Sequence, residues 1–305
     1  MIAVVLAIVV TGFLVTMSSD ADRVTIDASY PEGPLYHGST LYYAEMGADV
    51  VTIVEGGERR PFFAQPGCGP TAIAPYGGGF LVLCHRGRRV VSLTAGGDEV
   101  RTWTADADGV ELLDPNDVSA DEKGGVYFSD PGLFSRNSEP EGRVMHLTAD
   151  GRLEIVADSL WYPNGVYVDL ERDRLLVSEH MRGRVLSFAI RPDGSLEAPT
   201  TVARLADAER SSRYDTPYAE TGPDGLEVGP NGELFVAVYG EGRVVRFGLH
   251  GAYRGEVELP TRYATNIAFA PSGSAVTTGA FNNIDPPFPG EVRFHGVEAV
   301  TDRRG

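Results

Sequence analysis

The sequence is poor in cysteine: 305 residues contain only Cys68 and Cys84. Two thiols cannot make a disulfide scaffold, and a C-x15-C spacing fits no zinc site. Two buried thiols are the default expectation, and a single Cys68–Cys84 bridge is credible only for an exported chain. A hairpin centred on residues 75–79 would set Cys84 opposite Pro70 and the two sulfurs one diagonal apart. Positive charge is also scarce. There are 26 Lys+Arg against 43 Asp+Glu, a net charge of −17. Nucleic acid is therefore excluded as a partner, because phosphate binding needs a basic face. Sustained helical periodicity is missing after residue 20, which argues against a helical fold. The chain has no Gly-x-Ser-x-Gly elbow, no His-Glu-x-x-His helix and no phosphate loop. Nucleophilic serine chemistry thus has no support.

Residues 2–17, IAVVLAIVVTGFLVTM, form an apolar run. It is slightly short for a membrane span and about right for an export signal. A basic n-region and a small-x-small cleavage site are lacking. Three readings stay open for residues 1–20: a signal, an anchor, or an upstream extension of a protein that starts at Met17. The first two imply an exported or membrane-anchored protein, with membrane contact through this segment alone. The third implies a cytoplasmic one. Residues 23–305 read as one domain.

Turn residues are plentiful. The 37 Gly and 20 Pro are spread along the chain, the signature of many short strands. One motif recurs: a Pro, a polar residue, a small residue and an apolar run. It appears as PEGPLY from Pro31, PTAIA from Pro70, PNDVSA from Pro115, PNGVYV from Pro163 and PDGLEV from Pro223, with a degenerate TNIAFA from Thr265. Each copy is followed by a Gly- or Asp-rich turn and a second strand such as VYFS, LLVS or LFVA. Then comes a Gly-x-Val strand: GRVMHL, GRVLSF, GRVVRF or GEVRFH. Units of about 40–50 residues with β content are propeller blades of about four strands. Six units predict an all-β, six-bladed propeller. The sixth lacks a fourth strand, so residues 23–29, RVTIDAS, are expected to complete it and close the ring, removing the open sheet edges.

The first strand of each blade lines the central channel, so the six motifs should converge at one mouth. Their polar residues are Glu32, Thr71, Asn116, Asn164, Asp224 and Asn266. Oxygen donors without His or Cys suit a hard cation, Ca²⁺ ahead of Mg²⁺, with Mn²⁺ and Zn²⁺ as further candidates. Glu32 and Asp224 supply two charges against one divalent ion. Counting across the hairpin turns pairs Asn116 with Asp130 and Asn164 with Glu179. Asp130, Glu179, His180, His85 and Tyr239 are therefore expected around the mouth, where they would contact substrate or act as a general base.

The stretches YPEGPLY, DPNDVSAD…VYFSDPG, WYPNGVYVD…LLVSEH and GPDGLEVGPNGELFVA resemble the gluconolactonase, regucalcin and senescence-marker-protein family. The resemblance runs from about residue 28 to 295. It implies a six-bladed propeller with a divalent metal, usually calcium, and hydrolysis of lactones. Carried over by motif, Glu32, Asn164 and Asp224 are metal ligands, Asp224 is also the proton donor and acceptor, and Asn116 touches metal or substrate. Animal members place an Arg two residues before that Asn to hold a sugar acid, whereas this chain has Asp114. The expected activity is metal-dependent opening of a small lactone or ester, with Asp224 and Asp130 as catalytic residues. The alternatives are a non-catalytic, calcium-stabilised binding propeller and a carbon–carbon bond-forming synthase. The full metal set weighs against the synthase.

Overall fold

A computed structural model describes residues 24–208, 214, 217 and 220–297. The apolar run at residues 2–17, Met17 and Arg23 lie outside the described residues. Among the described residues, twenty-four strands form six antiparallel four-stranded sheets. The blades occupy residues 31–64, 70–103, 118–160, 163–204, 222–258 and 263–295. The first strands of neighbouring blades contact one another right round the ring, from Pro31–His37 to Tyr263–Phe269 and back. The expected six-bladed propeller is the fold. Thr25–Ser29 pairs with Pro289–His295, from Thr25 opposite Arg293 to Ser29 opposite Pro289, and supplies the outermost strand of blade six.

The recurrent sequence signals have local causes. In the Gly-x-Val strands the valines, Val144, Val185, Val244 and Val292, are all buried and fill the space between sheets. The apolar clusters bridge adjacent blades. One joins Leu81 and Val90 to Phe128 and Met145, and another joins Leu176 and Val185 to Val236 and Phe247. The core is thus a ring of sheet-on-sheet interfaces around a polar axis, as blades packed face to face require. Glycine in PEG, PNG and PDG answers to close approach at that axis. A Cβ on Gly33 would lie 2.3 Å from the Thr71 carbonyl oxygen, one on Gly165 2.3 Å from that of Asp224, and one on Gly225 2.0 Å from Asn266 Cγ.

Cys68 and Cys84 are joined by a disulfide, with Cα atoms 4.5 Å apart. Cys84 pairs with Pro70, as the hairpin count predicts. The bridge fastens the approach to the first strand of blade two. Among the described residues, no helix is long and apolar enough to cross a membrane.

Candidate active site at the channel mouth

One end of the channel opens into a cavity of about 370 Å³. Glu32, Thr71, Asn116, Asn164 and Asp224 all line it. Five of the six motif copies therefore converge as predicted. The sixth does not contribute Asn266. The strand carries the same one-residue bulge as the first strands of blades one, two, four and five, which puts Thr265 and not Asn266 at the motif's polar position. The Thr265 hydroxyl donates to the Pro31 carbonyl at 2.8 Å and lies beside Glu32. Asn266, one residue further along, lines a cavity toward the other end of the channel and bonds Asp117. Without a proline to mark the sixth motif, the sequence is ambiguous by one position.

Asp117 is the residue that sequence reasoning missed on the axis. It is buried, and its two oxygens accept the Val118 and Val166 backbone N–H groups at 2.9 and 3.0 Å. Glu32, Asp117 and Asp224 are all at most 7% exposed, and no ion pair to any of them is found among the described residues. Burial first, then the Asp224 and Asp117 charges, holds Glu32 well above the usual carboxylate range. Burial first, then the Asp117 charge, does the same to Asp224, while Asn164 opposes the shift. Burial raises Asp117 to about 6, against the pull of its two N–H bonds. Three carboxylates without a cation are costly, and either protons or a metal must relieve them. The donor set of carboxylate and carboxamide oxygens suits a hard divalent cation. Among the described residues there is no cluster of three or more His, Cys, Asp or Glu that could hold an ion. The residues at the mouth that fit one are two carboxylates and two carboxamides.

His85, His180 and Tyr239 line the same cavity, as the sequence suggested. His85 Nδ1 lies 3.0 Å from the Asp114 carbonyl oxygen. His180 is 1% exposed, and burial, reinforced by the Arg136 charge, drops its pKa to about 3. Carbonyls of Glu220 and Pro223 lie near enough to oppose that drop, yet neither ring nitrogen forms a hydrogen bond. Tyr239 shares a 2.7 Å hydrogen bond with Tyr30 and accepts one from Asn283 Nδ2 at 2.9 Å.

Asp130 and Glu179 do not reach the mouth. Asp130 is fully buried, accepts the N–H groups of Leu113 and Asp114, and pairs with Arg143. Glu179 accepts the Trp161 N–H at 3.0 Å and pairs with Arg184. The hairpin counts were good to about one residue: Asp130 ends the strand paired with Val118–Ala120, next to Ser129, whose carbonyl accepts the Asn116 N–H, and Glu179 is opposite Pro163 rather than Asn164. Strand pairing fixed the neighbourhood but not the direction of the side chains, which the bulge after Pro163 and the arginines of the third strands determine. Asp114 also turns away. Its carboxylate accepts the Gly132 N–H at 2.6 Å and borders an adjoining cavity.

Aromatic rings complete the wall. Tyr30 and Tyr162 each stand before the proline of a motif, at φ 49° and 54°. Left-handed backbone of this kind is unusual for a bulky residue and is concentrated at functional sites. The repeated Tyr-Pro of YPEG and YPNG was the signal for both. Phe134, Phe288 and Asn283 come from loops and had no periodic signal.

Residues 30–278 match the model of the SMP-30/Gluconolactonase/LRE-like region. Lactonase drp35 of Staphylococcus aureus strain MRSA252 is 28% identical over 213 residues. That match covers 67% of this chain and 60% of the relative, so the chain spans about three fifths of the length of such relatives. A gluconolactonase from Xanthomonas campestris superposes with a TM-score of 0.71 at 22% identity, covering 92% of this chain and 94% of that one. A calcium-binding regucalcin from Agrobacterium tumefaciens strain C58 superposes at 0.69 with 16% identity, over 89% and 92%. These superpositions share the six-bladed fold, and with the match across its blades this chain belongs to the SMP-30/gluconolactonase/LRE-like family.

Proposed function

We propose that the protein is a metal-dependent hydrolase that opens a lactone or related ester at the channel mouth. The observation that carries this reading is the meeting of Glu32, Asn116, Asn164 and Asp224 in one open cavity, where neither carboxylate has an arginine or lysine ion-pair partner among the described residues. Glu32, Asn164 and Asp224 would hold the ion, and Asn116 would touch it or the substrate. Ca²⁺ fits the oxygen set best. When bound, such an ion supplies positive charge for the ring carbonyl and for the oxyanion that forms on attack. The protein's own part is positional and protonic. Asp224 sits where a carboxylate can take a proton from attacking water and return it to the leaving alkoxide. His85 and Tyr239 bound the space in which the ring must lie. A neutral His180 adds no positive charge to that wall. Names of lactonases among relatives support the same reading.

The disulfide supports export, since bridges persist in oxidising compartments. We place the protein outside the cytoplasm on that ground, with residues 2–17 as its signal or anchor.

The decisive test is turnover of a panel of γ- and δ-lactones with and without a chelator, alongside calorimetric Ca²⁺ titration. Turnover that the chelator abolishes and Ca²⁺ restores is expected. Tight Ca²⁺ binding with no hydrolysis of any lactone or ester would hand the site to the binding-propeller reading.

A further inference from the structure

The wall above the oxygen cluster has a composition of its own. Phe134 packs edge-on against Tyr162, with ring centroids 4.8 Å apart, and lies 5.1 Å from the His180 ring. Tyr239 lies 5.8 Å from His180 on the other side, and Phe288 meets Tyr30 edge-on at 6.2 Å. Two of the hydroxyls on these rings are spent on one another. The hydroxyls of Tyr30 and Tyr239 bond each other, and Asn283 bonds Tyr239. Both His180 nitrogens are buried beneath the rings. Among the described residues, Arg86 is the one cation that borders the cavity, and it is engaged with Asp49 at 2.9 Å and with the Met46 carbonyl.

Two substrate types fit such a wall badly. A polyhydroxylated ring would exchange water for a surface with few free hydrogen-bonding partners, leaving buried hydroxyls unsatisfied. An anionic ring would enter between Glu32 and Asp224, and among the described residues the one arginine lining the cavity is already engaged with Asp49. An apolar substituent loses nothing there and gains contact with aromatic faces. Phe134 continues that surface outward. It is 42% exposed, beside Leu133 at 61%.

Given the lactone-hydrolase reading above, we infer that the site takes neutral lactones bearing an alkyl or aryl substituent, which packs against Phe134, Tyr162 and Tyr239, in preference to sugar-acid lactones. The experiment compares kcat/KM for δ-valerolactone, δ-octanolactone, δ-decanolactone and glucono-1,5-lactone on the Ca²⁺-loaded full chain. Each fully buried methylene is worth at most about four-fold in kcat/KM. A rise of about ten-fold or more from δ-valerolactone to δ-decanolactone, carried by KM, is expected, with glucono-1,5-lactone below the two alkyl lactones. In Phe134→Ser the dependence on chain length should flatten, and Phe134→Leu should restore it. A flat series, or glucono-1,5-lactone as the best substrate, overturns this inference while leaving the hydrolase reading intact. A chain-length dependence that survives Phe134→Ser removes the collar as its cause and overturns it as well. Failure to hydrolyse any of the four, with Ca²⁺ bound, overturns the hydrolase reading and this one together.

Discussion

Asp130 accepts the backbone N–H of Leu113 at 2.9 Å, three residues before Asn116. Glu179 does the same for Trp161, three before Asn164, and Glu45 for Ser29, three before Glu32. In three blades a carboxylate at the end of the second strand thus holds the backbone leading to a residue of the mouth. These acids are positioning residues, and the repeat explains why they resemble a second ring in the sequence.

Asp130→Asn should therefore weaken the fold before it weakens chemistry. It strips the partner from Arg143, whose side chain is 8% exposed, and a broken buried pair costs about 3–5 kcal/mol. Glu179→Gln should cost less, because Arg184 is 29% exposed and water can solvate it. Urea denaturation of the two variants checks the order. Turnover per folded molecule should fall for Asp130→Asn through displacement of Asn116, with Ca²⁺ affinity falling less.

Neutralising the axial carboxylates should have opposite effects with and without metal. Glu32 and Asp224 are buried together without a cation, and their charges oppose one another. In metal-free protein at pH 7, Glu32→Gln and Asp224→Asn should each raise Tm. With Ca²⁺ each should bind about ten-fold or more weakly, since ligand charge sets affinity. Because metal stabilises only the folded state, the Ca²⁺-induced rise in Tm should shrink in both. Calorimetry and thermal melts in chelator and in Ca²⁺ read all four effects. An Asp224→Asn protein that binds Ca²⁺ and turns over like the parent would place the chemistry elsewhere.

Glu227 gives a pH dependence that can be separated from the metal. It borders the cavity toward the other end of the channel, accepts the Phe269 N–H, and is pushed by burial to about 8. An acid whose pKa is raised on folding contributes stability at pH below its unfolded value. That contribution is lost as pH climbs toward the folded value. Metal-free protein should therefore lose Tm between about pH 4.5 and 8. Glu227→Gln should flatten that slope and be the more stable protein at pH 8. A slope unchanged by the substitution would assign the dependence to Asp117 and its neighbours.

The Cys68–Cys84 bridge closes a short loop, 16 residues in sequence separation. In the chain-entropy picture a loop of this length is worth about 3 kcal/mol. Denatured, unreduced protein should show no free thiol. The Cys68→Ser/Cys84→Ser double variant should be less stable by roughly that amount. Since the bridge leads into Thr71 and His85 at the mouth, Ca²⁺ affinity is a useful second readout.

Most of the fold was legible because it repeats. Pro at the head of five motifs, Gly where the first strands crowd the axis, and Val in the third strands each express one recurring contact. Glu32, Asn116, Asn164 and Asp224 were legible for the same reason, as each occupies one position in the repeat. What escaped had no repeat to carry it. Asp117 replaces the glycine of PEG and PNG in one blade alone. Thr265 lost its proline marker, which left the polar position of the sixth motif ambiguous by one residue. Phe134, Asn283 and Phe288 reach the mouth from connections whose lengths differ between blades. Asp130 and Glu179 were placed in the right hairpins, but their direction depends on arginines two strands away from the axis.

The pairing of Thr25–Ser29 with Pro289–His295 also governs how the ring can come together and apart. Every other strand neighbour within a sheet follows closely in the chain, whereas Thr25 and Arg293 stand at opposite ends of the domain. Closing a loop of that size rather than one of 16 residues costs about four doublings of length, or about 2.4 kcal/mol. That cost delays the last seam until the other five blades offer it a finished surface. The same seam is where the circle can be opened by separating a single strand, with five blades left whole. The molecule is a clasped band rather than a seamless hoop, and its clasp is the strand that bears the N-terminal segment.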